Sequence, residues 1–129
     1  MIVADASAVV EFLRGGPKSH AVEPLLLDRG PIHVPGLLDA EVLQAVRKLV
    51  RLGAMDDARG QTSIQTLQVM PLNRHLLAPL LPRMWALRDN LTAYDAAYIA
   101  LAEALRCPLV TFDDRLAAAP GHGAEVIVP

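Results

Sequence analysis

The stretch Thr92-Ala-Tyr-Asp-Ala-Ala-Tyr-Ile-Ala-Leu-Ala-Glu-Ala-Leu-Arg-Cys-Pro-Leu-Val-Thr-Phe-Asp113 places a helix directly before a short apolar strand. Thr92 with an acid three residues on, at Asp95, has capping-box spacing, so a helix is predicted over Thr92–Arg106. Leu109–Phe112 is too short and too apolar for anything but a buried strand, and Asp113 follows at its end. Outward from this unit the same alternation repeats. Strand-like runs are Ile2–Asp5, Ile32–Val34, Gln68–Leu72 and Glu125–Val128. Helical patterns run through Leu13, over Ser19–Asp28, from Pro35-Gly36 to Leu52, over Asp56–Leu67 (weakened by Gly60) and over Asp114–Ala119. Gly15-Gly16-Pro17 stops the first helix and Gly53 ends the third. Arg74–Arg88 is helical in pattern but carries Pro79 and Pro82, so a kink or two pieces are expected. Strands alternating with helices predict an α/β fold of three layers, with a mostly parallel sheet between helices.

The chain has 129 residues, the size of one domain, expected over 1–129. A chain this long needs no disulfide staple, and the lone Cys107 can form no internal bridge. No apolar run approaches the roughly 18 residues of a membrane span, and no secretory leader pattern precedes the first strand. A soluble cytoplasmic protein is expected. Twelve Lys and Arg against fourteen Asp and Glu give a net charge of −2, against a domain that grips nucleic acid by bulk positive charge. Ten of the twelve cations are Arg, the side chain suited to forked phosphate contacts.

Four acids stand where packing alone would not put them. Asp5 ends the first strand, at the carboxyl edge where open parallel sheets bind ligands, although it serves equally well as a helix cap. Asp113 ends another strand. If one of Asp113 and Asp114 caps the next helix, Asp114 fits better, which leaves Asp113 for the site. Asp95 shares the apolar stripe of its helix: with Asp95 at zero, Ile99 falls about 40° away, Ala102 about −20° and Tyr98 about −60°. Glu41 lies within the third helix about 60° from Leu38, at the edge of the core-facing stripe, where no cap is needed. A carboxylate there must be paired, protonated or metal-bound. Asp39 points about 160° from Glu41 and reads as ordinary.

Four like charges converging on one crevice require a cation, and only Arg115 lies among these segments. The histidines at 20, 33, 75 and 122 are scattered, and no zinc site is expected. An all-oxygen cluster suits Mg2+ or Mn2+, which engage phosphate oxygens and activate water, so phosphodiester hydrolysis is the predicted chemistry. Arg14 and Arg115, each of which closely follows one of these segments, are candidates for phosphate contacts, with a solvated surface role as the alternative. Trp85 reads as core or dimer interface ahead of base stacking, and Tyr94 and Tyr98 read as packing. A phosphoryl-accepting receiver fails because the first strand supplies only Asp5. A paired-Asp phosphatase fails because Ser7 stands where its second acid belongs.

In this order and spacing, Val3-Ala-Asp-Ala-Ser-Ala8, Asp39-Ala-Glu-Val42, Leu91–Ala102 and Leu109–Leu116 resemble the PIN-domain ribonucleases. More narrowly they resemble the VapC toxins of bacterial toxin–antitoxin pairs, over Ile2 to about Leu116. The resemblance implies a five-stranded parallel sheet and a metal site of Asp5, Glu41, Asp95 and Asp113. It implies Ser7 and Thr111 as hydroxyls that orient a carboxylate or water, with Asp114 in support. It also implies a Mg2+-dependent endoribonuclease acting on transfer or ribosomal RNA, a homodimer, and a VapB-like antitoxin. The alternative is a weakly catalytic module that acts mainly through its antitoxin complex.

Overall fold

Residues 1–129 are described by a computed structural model. Five short parallel strands, β1 (Ile2–Ala4), β2 (Ile32–Pro35), β3 (Leu72–His75), β4 (Leu109–Val110) and β5 (Val126–Ile127), form one sheet in the order β3-β2-β1-β4-β5. The chain starts in the middle strand, builds outward through β2 and β3, then returns past β1 to build the other half. Between β1 and β4 the strand order therefore reverses, and such a switch point opens a crevice at the carboxyl ends of the two strands. Asp5 and Thr111 are the residues that immediately follow those strands.

Helices flank the sheet in two groups. α1 (Ala6–Arg14), α2 (Ser19–Asp28), α3 (Leu38–Arg51) and α4 (Asp57–Val69) pack on one another, with α1 at their centre. α6 (Ala93–Leu105) lies against β1, β2 and β4 and carries α5 (Leu81–Ala86), while α7 (Asp114–Ala118) rests on β5. β1 is fully buried, as near-continuous apolar strands of parallel sheets are. Ala96 to Ala102 of α6 are buried without a break, so this helix is enclosed on every side and its alanines let neighbours approach closely. No helix is long and apolar enough to cross a membrane.

Gly60 is a packing residue rather than a simple weakness of α4. A Cβ there would lie 2.8 Å from Val50 Cγ2, so the absent side chain lets α4 close on α3. Gly53 follows α3 with φ of 73°, as its sequence position predicted.

Several expectations are corrected. Gln68 and Val69 belong to the last turn of α4, and the strand expected over Gln68–Leu72 lies at Leu72–His75 instead. Pro71 cannot continue the helix, and the strand beyond it is a sheet edge whose Leu-Asn-Arg-His carries too little apolar signal to be read. The segment Arg74–Arg88 divides: its first two residues finish β3, a 3-10 turn covers Ala78–Leu80, and α5 follows. Pro79 and Pro82 open these two elements, where the missing N–H costs nothing. Trp85 is 69% exposed rather than core, with the Arg88 guanidinium 4.5 Å from its ring centroid, and Met84 and Leu87 are buried instead. Tyr94 is also exposed rather than packed.

Candidate active site

Asp5 is the helix cap, and it stands at the crevice between β1 and β4. Its Oδ1 accepts from the Ala8 N–H at 3.0 Å, which caps α1, and from Ser7 Oγ at 2.6 Å. Its Oδ2 accepts from Thr111 Oγ1, across the switch point. Each hydroxyl has a single proton, and both protons are given to Asp5. The hydroxyl oxygens then act as acceptors: Ser7 Oγ takes the Phe112 N–H at 2.9 Å and Thr111 Oγ1 takes the Asp113 N–H at 2.9 Å. A carboxylate with three donors would ordinarily be more acidic. Here burial outweighs them, and the Asp5 pKa is raised.

Glu41 extends from the first turn of α3, near the helix start rather than deep within the helix as expected. Its Oε1 accepts from the Tyr98 hydroxyl at 2.5 Å, a bond between helices on the two sides of the sheet. Burial raises the Glu41 pKa, Tyr98 opposes the shift, and the charges of Asp95 and Asp5 add to it. Burial also raises Tyr98, with Glu41 adding to the shift, so its hydroxyl stays a donor. Asp95 sits one turn before Tyr98, and its N–H donates to Thr92 Oγ1 at 3.2 Å, as the capping-box spacing predicted. Its pKa is raised by burial, then by Asp113, against the pull of Thr92 and Arg115.

Asp113 differs from the other three. It, not Asp114, caps α7, accepting the Arg115 N–H at 3.0 Å. The Arg115 guanidinium also forks onto it, Nε to Oδ1 at 3.0 Å and Nη2 to Oδ2 at 2.7 Å. This pairing lowers the Asp113 pKa. Asp114 is exposed in the first turn of α7. The elimination that separated the two residues therefore fails, because capping and facing the site are compatible.

At the carboxyl end of the sheet Glu41 feels the charges of Asp5 and Asp95, and Asp95 feels that of Asp113, so the four acids are coupled pairwise in series rather than as one cluster. No three of these side chains converge closely enough to enclose one ion. Asp39 lies outside the group and pairs with Arg74 at 2.7 Å. Tyr98, assigned above to packing, is both packed and polar. Its spacing from Asp95 placed it on the same helix face, and that was the available signal. The histidines are not all scattered either: His33 Nδ1 and His75 Nε2 meet at 2.8 Å across β2 and β3.

Residues 2–121 match the family described as PIN domain. Ribonuclease VapC1 of Mycobacterium tuberculosis is 42% identical over 125 residues, which cover 96% of this chain and 94% of that protein. The chain is a PIN domain of the VapC ribonuclease family. Among solved structures, this PIN domain resembles PAE2754 from Pyrobaculum aerophilum, with a TM-score of 0.73 and 26% identity, over 97% of this chain and 82% of that one. It also shares the fold of VapBC2 from Rickettsia felis, solved bound to a DNA fragment from their promoter, with a TM-score of 0.68 and 18% identity over 98% of each chain.

Proposed function

We propose that this VapC-family ribonuclease is a metal-dependent endoribonuclease whose reaction centre is Asp5, Glu41, Asp95 and Asp113. The observation that carries the proposal is the crevice between β1 and β4, where Asp5 stands at the strand end and Glu41 lies within reach of the charges of Asp5 and Asp95, with burial raising the pKa of all three. Such a group is stabilised by a cation. Oxygen donors of this kind suit Mg2+, or Mn2+, which is held by one or two carboxylates and keeps its remaining positions for water and phosphate oxygens. That habit agrees with carboxylates that are coupled without being closed into a cage. When bound, such a cation would activate a water and steady the leaving oxygen of a phosphodiester.

The chain's own groups set the geometry around that chemistry. Ser7, Thr111 and the Ala8 N–H hold the Asp5 carboxylate in one orientation. Tyr98 aims Glu41. Glu41 and Asp95, both made more basic by their surroundings, are suited to receive a proton from an attacking water. Arg115, two residues beyond Asp113, neutralises the acid least affected by burial.

An antitoxin partner, a homodimer and a structured RNA substrate, transfer or ribosomal, belong to the same proposal. The antitoxin draws support from the Rickettsia felis VapBC2 complex, which shares the fold. The test incubates purified protein, free of any partner, with RNA and Mg2+. Cleavage that ends with EDTA and with Asp5→Asn or Glu41→Gln, each shown to be folded by its thermal transition, is the expected result. Equal cleavage by wild type and variants would overturn the assignment. Cleavage by wild type that survives EDTA would remove the metal from it.

A further inference from the structure

The turn between α1 and α2 stands beside the acids and holds two cations there. Arg14, the last residue of α1, and Lys18 line a cleft of about 510 Å³ whose other walls include Ser7, Glu41 and Phe112. The turn has a defined shape. Gly15 leaves α1 with φ of 59°, a left-handed conformation that glycine adopts without strain. Gly16 packs onto Glu11 so closely that a Cβ there would lie 2.2 Å from Glu11 Oε1. The same Oε1 accepts the Lys18 N–H at 2.7 Å. Glu11 is thereby committed to the backbone of the turn.

Both cations are free of carboxylate partners, whereas Arg74, Arg83 and Arg115 are each paired. Lys18 Nζ stands 5.4 Å from the centroid of the Phe112 ring. The main chain that carries this ring is tied to the Asp5 network by the Phe112 N–H, which donates to Ser7 Oγ. An acid crevice repels a polyanion, so a strand lying across it requires unpaired cations at the rim. They occur at this turn, together with an aromatic face.

We infer that this cleft seats the RNA nucleotide adjoining the scissile phosphate, with Arg14 and Lys18 on its phosphate and the Phe112 ring against its base. The inference rests on the ribonuclease reading of the acid site. An acidic peptide would use the cations alone, whereas a single-stranded nucleotide uses the ring as well. Lys18 leaves the ring for the phosphate, and the base takes the face so uncovered. Glu11 and Gly16 act as positioning residues that keep both cations at the cleft.

The test uses the full chain and a short RNA that the wild type cleaves, with binding followed by fluorescence anisotropy in EDTA. The double variant Arg14→Ala/Lys18→Ala is expected to weaken binding at least about tenfold and to raise KM far more than it lowers kcat. Its plot of log affinity against log salt should be shallower by about 1.4, two phosphate contacts on a single strand. Phe112→Leu should weaken binding by about tenfold with the salt slope unchanged, since a stacking contact carries no charge. Arg14→Lys/Lys18→Arg should restore the slope, which separates charge from folding. An unchanged slope and KM in the double variant would overturn the inference. So would a double variant that binds RNA normally and loses only an acidic peptide or protein partner. If the wild type cleaves no RNA, the ribonuclease reading fails and the inference falls with it; cleavage by the wild type with slope and KM unchanged in the double variant overturns the inference alone.

Discussion

Replacing Tyr98 by Phe removes one oxygen atom from a side chain that is 2% exposed and leaves its ring in place. The lost group is the hydroxyl that donates to Glu41 Oε1 at 2.5 Å. A hydrogen bond to a charged group contributes about 1.5–3 kcal/mol, and half-buried Glu41 can recruit water in exchange, so about 1.4 kcal/mol is a reasonable net loss. That loss falls on the carboxylate form, since the bond lowers the Glu41 pKa against the burial that raises it. Glu41 should then hold its proton about tenfold more tightly. The direct assay follows the Glu41 side-chain carbon by NMR during a pH titration of metal-free protein. The functional assay is the pH dependence of RNA cleavage, whose acid limb should move toward neutrality by about one pH unit while activity at high pH is largely kept. The thermal midpoint at neutral pH should fall by a few degrees. An unmoved Glu41 titration, or activity lost equally at every pH, would show that Tyr98 acts only by packing and would refute the reasoning.

Glu41→Gln should raise the thermal midpoint at pH 7 while abolishing cleavage. The folded carboxyl has a raised pKa, so the native state binds its proton more tightly than the unfolded chain does, and stability falls as pH rises from acid through that raised value. The gain from Gln should therefore shrink as scans are repeated toward pH 4; a lower midpoint at pH 7 would contradict it. Asp113 has the opposite sign, because its lowered pKa lends stability above the unfolded value that is lost as pH falls through the folded one. Gly60→Ala improves helix propensity by about 1 kcal/mol but drives a Cβ to 2.8 Å from Val50 Cγ2, and overpacking of about 1–3 kcal/mol should win. Urea unfolding should show a net loss, and a gain would mean that α3 and α4 part freely. Arg106 ends α6 with φ of 53°, exposed and without a salt bridge. Arg106→Gly should add about 1 kcal/mol by relieving a left-handed conformation, visible as a higher urea midpoint.

Where the sequence could be read, it was read through short-range geometry. Helix angles placed Glu41 and Asp95 on inward faces, and strand ends marked Asp5 and Asp113; the four are coupled in the structure. What stayed hidden depends on neighbours distant in the chain. The Tyr98–Glu41 bond spans 57 residues and the His33–His75 contact 42, and neither spacing can be inferred before the strand order is known. β3 was displaced because an edge strand may be polar on its open side, and no alternation announces it. Trp85, expected in the core or at a dimer interface, lies outside the core because the 3-10 turn and α5 turn Met84 and Leu87 inward instead. The Gly15-Gly16-Pro17 break was legible as a stop; that Glu11 shapes it and Arg14 and Lys18 flank a cleft beside Glu41 was not.

Asp5 is a fastener as well as an acid. β1 and β4 are only three and two residues long and share two register pairs, so few backbone bonds join them. The bond from Thr111 to Asp5, and that from the Phe112 N–H to Ser7, close the same seam from above. Losing Asp5 therefore weakens the join between the two halves of the sheet, while exchanging Glu41 or Asp95 for its amide removes charge that the fold would be more stable without and leaves the sheet untouched. An inactivated descendant of this chain would accordingly be expected to discard the acids carried on its helices first, and to keep the one at the seam long after its chemistry had gone.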